Sequence, residues 1–209
     1  MRSVTVLGMA ALLCLAVTAQ ADVITNGDFE TGDFTGWTIV LTENGNTTTQ
    51  DVFSYDIDGG GSHPESLAAR FAVGKMDYYQ EPDGGVVMSQ EVYLVGGVEY
   101  AFDADIAAYR YSAQGNADGG TFQMTLDGAV LDSWSAGGIG GDYPWDKYDH
   151  LSGTFTPGSS DTYEIGMQIT RHYECPGDVY QLVDNFTGIP EPATLALLAF
   201  GGLAALRRR

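Results

Sequence analysis

Apolar and polar residues alternate with a period of two through the middle of the chain, and this pattern constrains the fold more than any other feature. It runs through ESLAARFAV, EYAFDADIAAY, TFQMTL and TYEIGMQIT, and glycine-rich turns such as PDGG, VGG and ADGG separate the runs. Side chains on a strand point alternately to opposite faces, so each run offers one apolar face for burial. Many short strands of this kind predict an all-β fold, a two-sheet antiparallel β-sandwich with one core between the sheets.

The apolar positions of these four runs are expected to fill that core. They are Leu67, Ala69, Phe71, Val73, Tyr100, Phe102, Ala104, Ile106, Phe122, Met124, Leu126, Tyr163, Ile165, Met167 and Ile169. Trp37 and Trp134 are expected to plug the ends of the sandwich, because large rings fill such gaps between two sheets.

The beginning of the chain reads as a signal peptide over residues 1–21. Arg2 gives a positive start, VLGMAALLCLAV follows as an apolar stretch, and Ala19-Gln20-Ala21 forms a small-residue cleavage site. Cys14 would leave with this segment, so the exported protein keeps Cys175 as its only cysteine and forms no internal disulfide. The mature protein is predicted to start at Asp22.

The end of the chain, residues 189–209, differs from everything before it. Pro190-Glu191-Pro192 is followed by the apolar run 193–206 and then by Arg207, Arg208 and Arg209. The run is about 14 residues long, whereas a bilayer span needs about 20. We expect a short hydrophobic helix that inserts transiently into a membrane, with the arginines on the cytoplasmic side.

This order of three elements resembles the PEP-CTERM sorting signal. The resemblance implies that an exosortase, a membrane-embedded peptidase, recognises the tail and processes it near Pro190-Glu191-Pro192. It also implies export to the outer surface or the exopolysaccharide matrix of a biofilm-forming Gram-negative bacterium, through a membrane-anchored precursor.

The formal net charge of the chain is −19, with 28 acidic against 9 basic residues. A surface this acidic repels nucleic acid and anionic lipid, so no nucleic-acid partner is expected. Calcium and neutral partners are compatible with it.

The two ends of residues 22–188 carry a second resemblance. VITNGDFETGDFTGWTIV opens this region and YQLVDNFTG closes it, and together they resemble the carbohydrate-binding modules of families 4 and 9 and related galactose-binding-like domains. That family implies a jelly-roll sandwich. It also implies a structural calcium ion held by Glu30 and Asp184, with oxygens from Asp28 and from Glu65 or its neighbour Ser66 completing the shell. Oxygen ligands from distant segments are what calcium requires.

Sugars are usually held by aromatic rings with polar groups beside them. The stretch DADIAAYRY and the loops GGDYPWDKYDH and RHYECPGDVY offer such groups. The candidate glycan-binding residues are Asp103, Asp105, Tyr109, Tyr111, Tyr143, Trp145, Arg171 and Tyr173.

No catalytic residue is predicted. Asp103 and Asp105 share a strand face and would suit a glycosidic bond, but no hydrolase motif accompanies them. His63, His150 and His172 lack the spacing of a zinc site, and nothing in the sequence orients His172 towards Cys175. The predicted function is therefore a non-catalytic surface or matrix protein that binds or organises polysaccharide. The alternatives are a structural surface protein without glycan binding and, third, a glycan-active hydrolase.

Overall fold

The structure, a computed structural model, describes residues 21–57, 66–112, 117–140, 146–175 and 178–191. The predicted signal peptide up to Gln20, the apolar tail from Pro192 onward with its three arginines, Glu65, Tyr143 and Trp145 lie outside these ranges. Within them there are ten strands and no helix. The strands are Thr38–Leu41 (β1), Gly45–Tyr55 (β2), Ser66–Lys75 (β3), Gly84–Leu94 (β4), Tyr100–Arg110 (β5), Thr121–Leu126 (β6), Ala129–Ser135 (β7), Asp146–Phe155 (β8), Asp161–Arg171 (β9) and Val179–Pro190 (β10).

The strands form two five-stranded sheets in which every neighbouring pair is antiparallel. Sheet A has the order β1-β4-β9-β6-β7, and sheet B has the order β2-β3-β10-β5-β8. Their inner faces share one large hydrophobic core. The predicted two-sheet antiparallel β-sandwich is confirmed. In the described ranges, no helix is long and apolar enough to cross a membrane.

The period-two prediction of the core is confirmed. All of its positions are buried except Leu67 and Tyr163, which are half-buried. On β3 and β5, however, the opposite face is also partly buried, because Ala68 and Ala107 pack with Leu182 and Ile57 in a second, smaller cluster on the outer side of sheet B. The sequence did not predict this second cluster, because alanines on an otherwise polar face are not a clear indication of burial.

The opening motif NGDFETGDFTGW forms no strand, yet it is bound firmly to the last strand. The backbone N–H of Phe186 donates to Gly27 O at 2.9 Å, and that of Val23 donates to Gly188 O at 2.9 Å. Asn26 holds the motif together. Its side-chain amide donates to two backbone carbonyls, and its backbone carbonyl accepts from the indole N–H of Trp37. The first and last segments of the domain therefore meet, as the family resemblance implied.

An aromatic cluster seals this junction. The ring of Trp37 lies 5.9 Å from that of Phe29 and 5.3 Å from that of Phe186, and all three residues are buried. Trp134 lies on β7 and packs against Phe122 at 5.6 Å. Both tryptophans contact the main core, although Trp134 does so from a partly exposed position.

The folded domain reaches further towards the C-terminus than residue 188. Strand β10 continues through Ile189 and Pro190, which pair with Ala101 and Tyr100, and the N–H of Glu191 donates to Glu99 O at 2.7 Å. The ladder with β5 therefore continues past residue 188, where the domain was predicted to end.

Candidate glycan-binding face

The outer face of sheet B gathers side chains from all five of its strands. The outward positions of β3, β10 and β5 lie side by side: Arg70 opposes Leu182, which opposes Ala107. Strand β2 borders β3 at one edge, and β8 borders β5 at the other. This face includes four of the predicted glycan-binding residues, Asp103, Asp105, Tyr109 and, just beyond β5, Tyr111.

A stacked row of flat groups, formed by Phe53, Arg70, Tyr180 and Tyr111, crosses this face. The guanidinium carbon of Arg70 lies 4.0 Å from the ring centre of Phe53 and 4.8 Å from that of Tyr180. The rings of Tyr180 and Tyr111 stack at 4.5 Å with an interplanar angle of 26°. Phe53 is 40% exposed and Tyr111 44% exposed, so the row ends in solvent-accessible rings.

Asp51 holds the guanidinium of Arg70 in this position. Nε of Arg70 donates to Oδ1 of Asp51 at 2.8 Å, and its NH2 group donates to Oδ2 at 2.6 Å. Paired donation of this kind fixes the plane of a guanidinium as well as its position. The hydrogen bonds to Asp51 also raise the pKa of Arg70, so the row stays charged and flat.

Three tyrosines fill the middle of the face. Tyr55 lies 5.8 Å from Tyr109 and 6.3 Å from Tyr148, measured between ring centres, and the hydroxyls of Tyr55 and Tyr148 are 3.2 Å apart. Tyr148 also donates to Asp146, and burial is the main cause that raises its pKa to about 12. Tyr55 ends β2 and Ile57 follows it, and both pack with residues of β5, β8 and β10. The chain leaving β2 therefore covers part of this face.

The polar end of the face is a carboxylate–imidazole–carboxylate group. Nδ1 of His150 is 2.8 Å from Oδ1 of Asp105, and its Nε2 is 3.3 Å from Oδ1 of Asp103. The hydrogen bond to Asp105 is the main cause that raises the pKa of His150. Asn185 donates to the other oxygen of Asp105 at 2.9 Å. A glycoside hydrolase would need two carboxylates that face its substrate. Here the imidazole of His150 is hydrogen-bonded to both Asp103 and Asp105.

The two predicted calcium ligands lie near each other at the junction of the first and last segments. Asp184 is fully buried, and its oxygens accept from Ser66 Oγ at 2.5 Å and from the N–H of Asn185 at 2.7 Å. Glu30 accepts from the N–H of Leu67 at 2.9 Å. Burial is the main cause that raises the pKa of Asp184 to about 6, and the charges of Asp105 and Glu30 raise it further.

This donor set fits a calcium ion. Carboxylate and hydroxyl oxygens from three distant segments converge there, and each acid raises the energetic cost of ionising the buried one. A cation among them would remove that cost. Asp28 lies beside Glu30 in the opening segment, and its Oδ1 accepts from the N–H of Glu30 at 3.4 Å.

Two of the predicted glycan-binding residues lie elsewhere. Arg171 is 1% exposed and donates to Val73 O between the sheets at 3.2 Å, so its guanidinium is not available at the surface as expected. Tyr173 lies at one end of the sandwich, beside Tyr78 and His172. The candidate set therefore does not form a single site.

The remaining chemical groupings are engaged in other contacts. Nδ1 of His172 is 2.9 Å from Asp83, whereas Sγ of Cys175 is 3.1 Å from Ala72 O and 3.2 Å from Thr48 Oγ1, so the two do not pair as a dyad. Glu81, Asp83 and His172 are close enough to share a metal ion. The ammonium of Lys75, however, already lies 3.0 Å from Glu81 and 3.4 Å from Asp83.

Sequence reasoning missed Phe53, Tyr55, Arg70 and Tyr180. The segment GNTTTQDVFSY is mostly polar and was not recognised as a strand, although Asp51, Phe53 and Tyr55 do alternate within it. Arg70 lies on the face of β3 opposite the predicted core positions, and the sequence analysis assigns it no role. Only the pairing of β2, β3 and β10 brings these residues into one row.

Known proteins resemble this chain in its C-terminal motif and in its fold. Residues 188–209 match the PEP-CTERM protein-sorting motif. No curated protein matches the sequence. Among solved structures, the carbohydrate-binding module TmCBM61 in complex with beta-1,4-galactotriose is similar, with 14% identity over 82% of this chain and 99% of that one and a TM-score of 0.47.

Two further structures are similar at a TM-score of 0.50. One is the Stig cyclase Fisc from Fischerella sp. TAU, with 15% identity over 83% of this chain and 99% of that one. The other is the enzymatically active domain of tailspike protein 4 of bacteriophage CBA120, with 13% identity over 81% of this chain but only 21% of that one. The protein is a two-sheet antiparallel β-sandwich. Its C-terminus carries a PEP-CTERM sorting motif.

Proposed function

We propose that this is a non-catalytic protein of the cell surface or extracellular matrix. Its PEP-CTERM tail directs it there through an exosortase, and its sandwich binds polysaccharide through the outer face of sheet B. The observation that carries the proposal is the stacked row of Phe53, Arg70, Tyr180 and Tyr111, which ends in exposed rings on that face.

The row and its surroundings suit a sugar chain. Exposed rings cover the apolar faces of pyranoses, while the groups around His150 supply hydrogen-bond acceptors for hydroxyls at the other end of the face. The charge of the protein disfavours polyanions. A neutral polysaccharide is therefore the ligand class for this face.

Replacing Tyr111 by alanine tests the face. We expect affinity for a neutral polysaccharide to fall about tenfold, because one exposed stacking ring contributes about 1–1.5 kcal/mol. The measurement is affinity electrophoresis or calorimetry of residues 22–191 on a panel of neutral polysaccharides. Tyr93→Ala is the matched control, since Tyr93 is 62% exposed on β4 of sheet A. Equal losses for the two variants would place binding outside this face.

A structural surface protein without glycan binding is the second candidate. It is favoured by Tyr55 and Ile57, whose packing on the outer face leaves less of it open to a ligand. A folded protein that is retained on no polysaccharide of the panel would support this candidate and would leave the sorting tail as the defined functional element.

The sorting proposal has a structural consequence at Pro190 and Glu191. Pro190 is the last residue of β10, and the N–H of Glu191 just beyond it is bonded to Glu99 O. Peptidases bind their substrates as extended, unpaired chains. We therefore expect the processed protein to retain Glu191, with cleavage at or beyond the Glu191–Pro192 bond. Intact mass after expression in a host that contains an exosortase measures this. Phe102→Ala removes a buried ring under this part of the sheet and should expose earlier bonds. A mature C-terminus at or before Pro190 in the folded wild-type protein would contradict the expectation.

We also propose that Glu30 and Asp184 hold a structural calcium ion, with Ser66 and Asp28 nearby as further oxygen donors. The support is the buried, ionisable carboxyl of Asp184 beside two other acids. When bound, the ion would fix the first segment to the last strand and neutralise their charges.

A further inference from the structure

One end of the sandwich presents an aromatic group that the outer face of sheet B does not include. Tyr78 and Tyr79 lie in the connection between β3 and β4, and His172 and Tyr173 follow β9. We call these four residues the tyrosine tip. The rings of Tyr78 and Tyr173 stack at 5.9 Å, and Tyr79 meets Tyr78 edge-on at 5.3 Å. His172 lies edge-on to both Tyr78 and Tyr173.

The tip exposes a large amount of ring surface. Tyr79 is 91% exposed, and Tyr78 and Tyr173 are each more than a third exposed. Together with Glu174 these rings line a shallow cleft of about 340 Å³. A polar cleft lined by Thr42, Glu81, Asp83, Gln168 and His172, among others, lies at the same end of the molecule.

The backbone beneath the rings is rigidly held. The buried side chain of Asn44 donates to Asp77 O and Gln80 O, each at 3.0 Å, and to Pro82 O at 3.3 Å, and it accepts from the N–H of Asp77. This one amide shapes the whole connection between β3 and β4. The exposure of Tyr79 is therefore a property of an ordered loop, because the buried hydrogen bonds of Asn44 fix the backbone on both sides of it.

The second loop of the tip is attached just as firmly. The N–H of Lys75 donates to Tyr173 O at 2.8 Å, and that of Tyr78 donates to Glu174 Oε1 at 3.3 Å. Gly74 packs so closely on this loop that a Cβ there would lie 2.5 Å from Tyr173 O. The rings are thus pre-positioned on two loops that support each other, which lowers the entropic cost of binding.

The charge around the tip identifies the ligand class. Glu174, Glu81 and Asp83 border the rings, and the buried ammonium of Lys75 is the cation that lies among them. Between Asp22 and Glu191 the basic side chains are Arg70, Lys75, Arg110, Lys147 and Arg171, each of which contacts an acceptor within the domain. Lys75 pairs with Glu81 and Asp83. Glu174 accepts from the N–H of Tyr78 and has no ion pair among the described residues, so its charge is the one open to an external cation.

We propose that the tyrosine tip is a second carbohydrate site, one that binds amino sugars with free ammonium groups. Tyrosine faces pack against the pyranose ring and attract an ammonium group electrostatically. Glu174 supplies a carboxylate beside them, and the net charge of the protein attracts cationic polymers from a distance. The site shares no residue with the stacked row on sheet B. A protein with both sites would join neutral and amine-bearing chains of one matrix.

Calorimetry with two hexamers of the same backbone tests this proposal. Residues 22–191 are titrated with the β-1,4-linked hexamer of glucosamine and with that of N-acetylglucosamine, which lacks the ammonium groups. We expect saturable binding of the first and at least tenfold weaker binding of the second. Tyr79→Ala should weaken glucosamine binding about tenfold, and its exposure makes the folded state insensitive to the change. Glu174→Gln, which keeps an acceptor oxygen for the N–H of Tyr78 but removes the charge, should also weaken it several-fold.

Tyr93→Ala serves as the control and should leave glucosamine binding unchanged. Equal binding of the two hexamers would overturn the assignment of the ligand class. An unchanged affinity in Tyr79→Ala would overturn the location, and a loss in Glu174→Gln alone would indicate unspecific ionic attraction. Because Tyr111→Ala reports on neutral polysaccharide separately, failure at the tip and failure at the outer face are distinguishable.

Discussion

Replacing Gly27 by alanine is expected to destabilise the domain more than any exposed substitution. A Cβ at this position would lie 1.8 Å from the carbonyl oxygen of Phe186 and 2.9 Å from Cγ2 of Ile24. The oxygen belongs to the backbone of β10, so it cannot rotate away as a side chain would. Relief requires the opening segment to move off β10, which breaks the bond between the N–H of Phe186 and Gly27 O.

The expected loss is at least about 3 kcal/mol, the upper range for overpacking a core, out of the 5–15 kcal/mol that usually stabilise a domain. Urea unfolding of residues 22–191, followed by tryptophan fluorescence, measures it, since Trp37 lies at this junction. Gly158→Ala is the matched control, because no atom lies within 4 Å of a Cβ there. Similar unfolding midpoints for the two variants would show that the opening segment is not closely packed on β10.

Removing calcium is expected to reverse the pH dependence of stability near Asp184. In the metal-free protein the folded-state pKa of this carboxyl is about 6, against an ordinary value of 3.8, chiefly because it is buried. The folded state therefore holds the proton more tightly than the unfolded chain. Its contribution to stability is complete below about pH 4 and is lost as the pH rises through 6, a change on the order of 3 kcal/mol.

The proposed calcium ion would bind the ionised carboxylate, so with the ion present stability should instead rise over the same pH range. Thermal unfolding at pH 5 and pH 7, with calcium and with chelator, distinguishes the two cases. Asp184→Asn should be more stable than wild type at pH 7 in chelator and should lose most of the stabilisation by calcium. Asp161→Asn is the control. It changes an exposed acid at the start of β9 and should respond to calcium as wild type does. If chelation leaves the melting temperature of the wild-type protein unchanged at pH 7, the calcium site is wrong.

The acidic pair on β5 shows how far sequence reasoning reached towards the site. Asp103 and Asp105 were predicted to share an outward face because they are two residues apart on a strand, and they do. The imidazole between them was not predictable, since His150 comes from β8, whose neighbour in the sheet is not determined by any local pattern. The stacked row was not predictable for the same reason, because Arg70 and Tyr180 are 110 positions apart in the chain but adjacent in the sheet.

Arg171 illustrates the opposite error. A charged residue in a loop-like stretch was expected at the surface, but it is the last residue of β9 and continues the inward series of Ile165, Met167 and Ile169. The period of two did apply to it. Its position in the strand, rather than its charge, decides that Arg171 is buried.

The sequence alone determined the all-β class, the inward face of each recognised strand and the sorting motif at the C-terminus. Each of these depends on residues close together in the chain: the alternation of side chains along one strand, or an ordered motif of three short elements. The tertiary structure decided which strands are neighbours, and therefore which outward side chains form one surface. That assignment separated the tyrosine tip from the outer face of sheet B, buried Asp184 beside Glu30, and placed Pro190 at the end of β10. Such contacts depend on the pairing of distant segments, which a period of two leaves open.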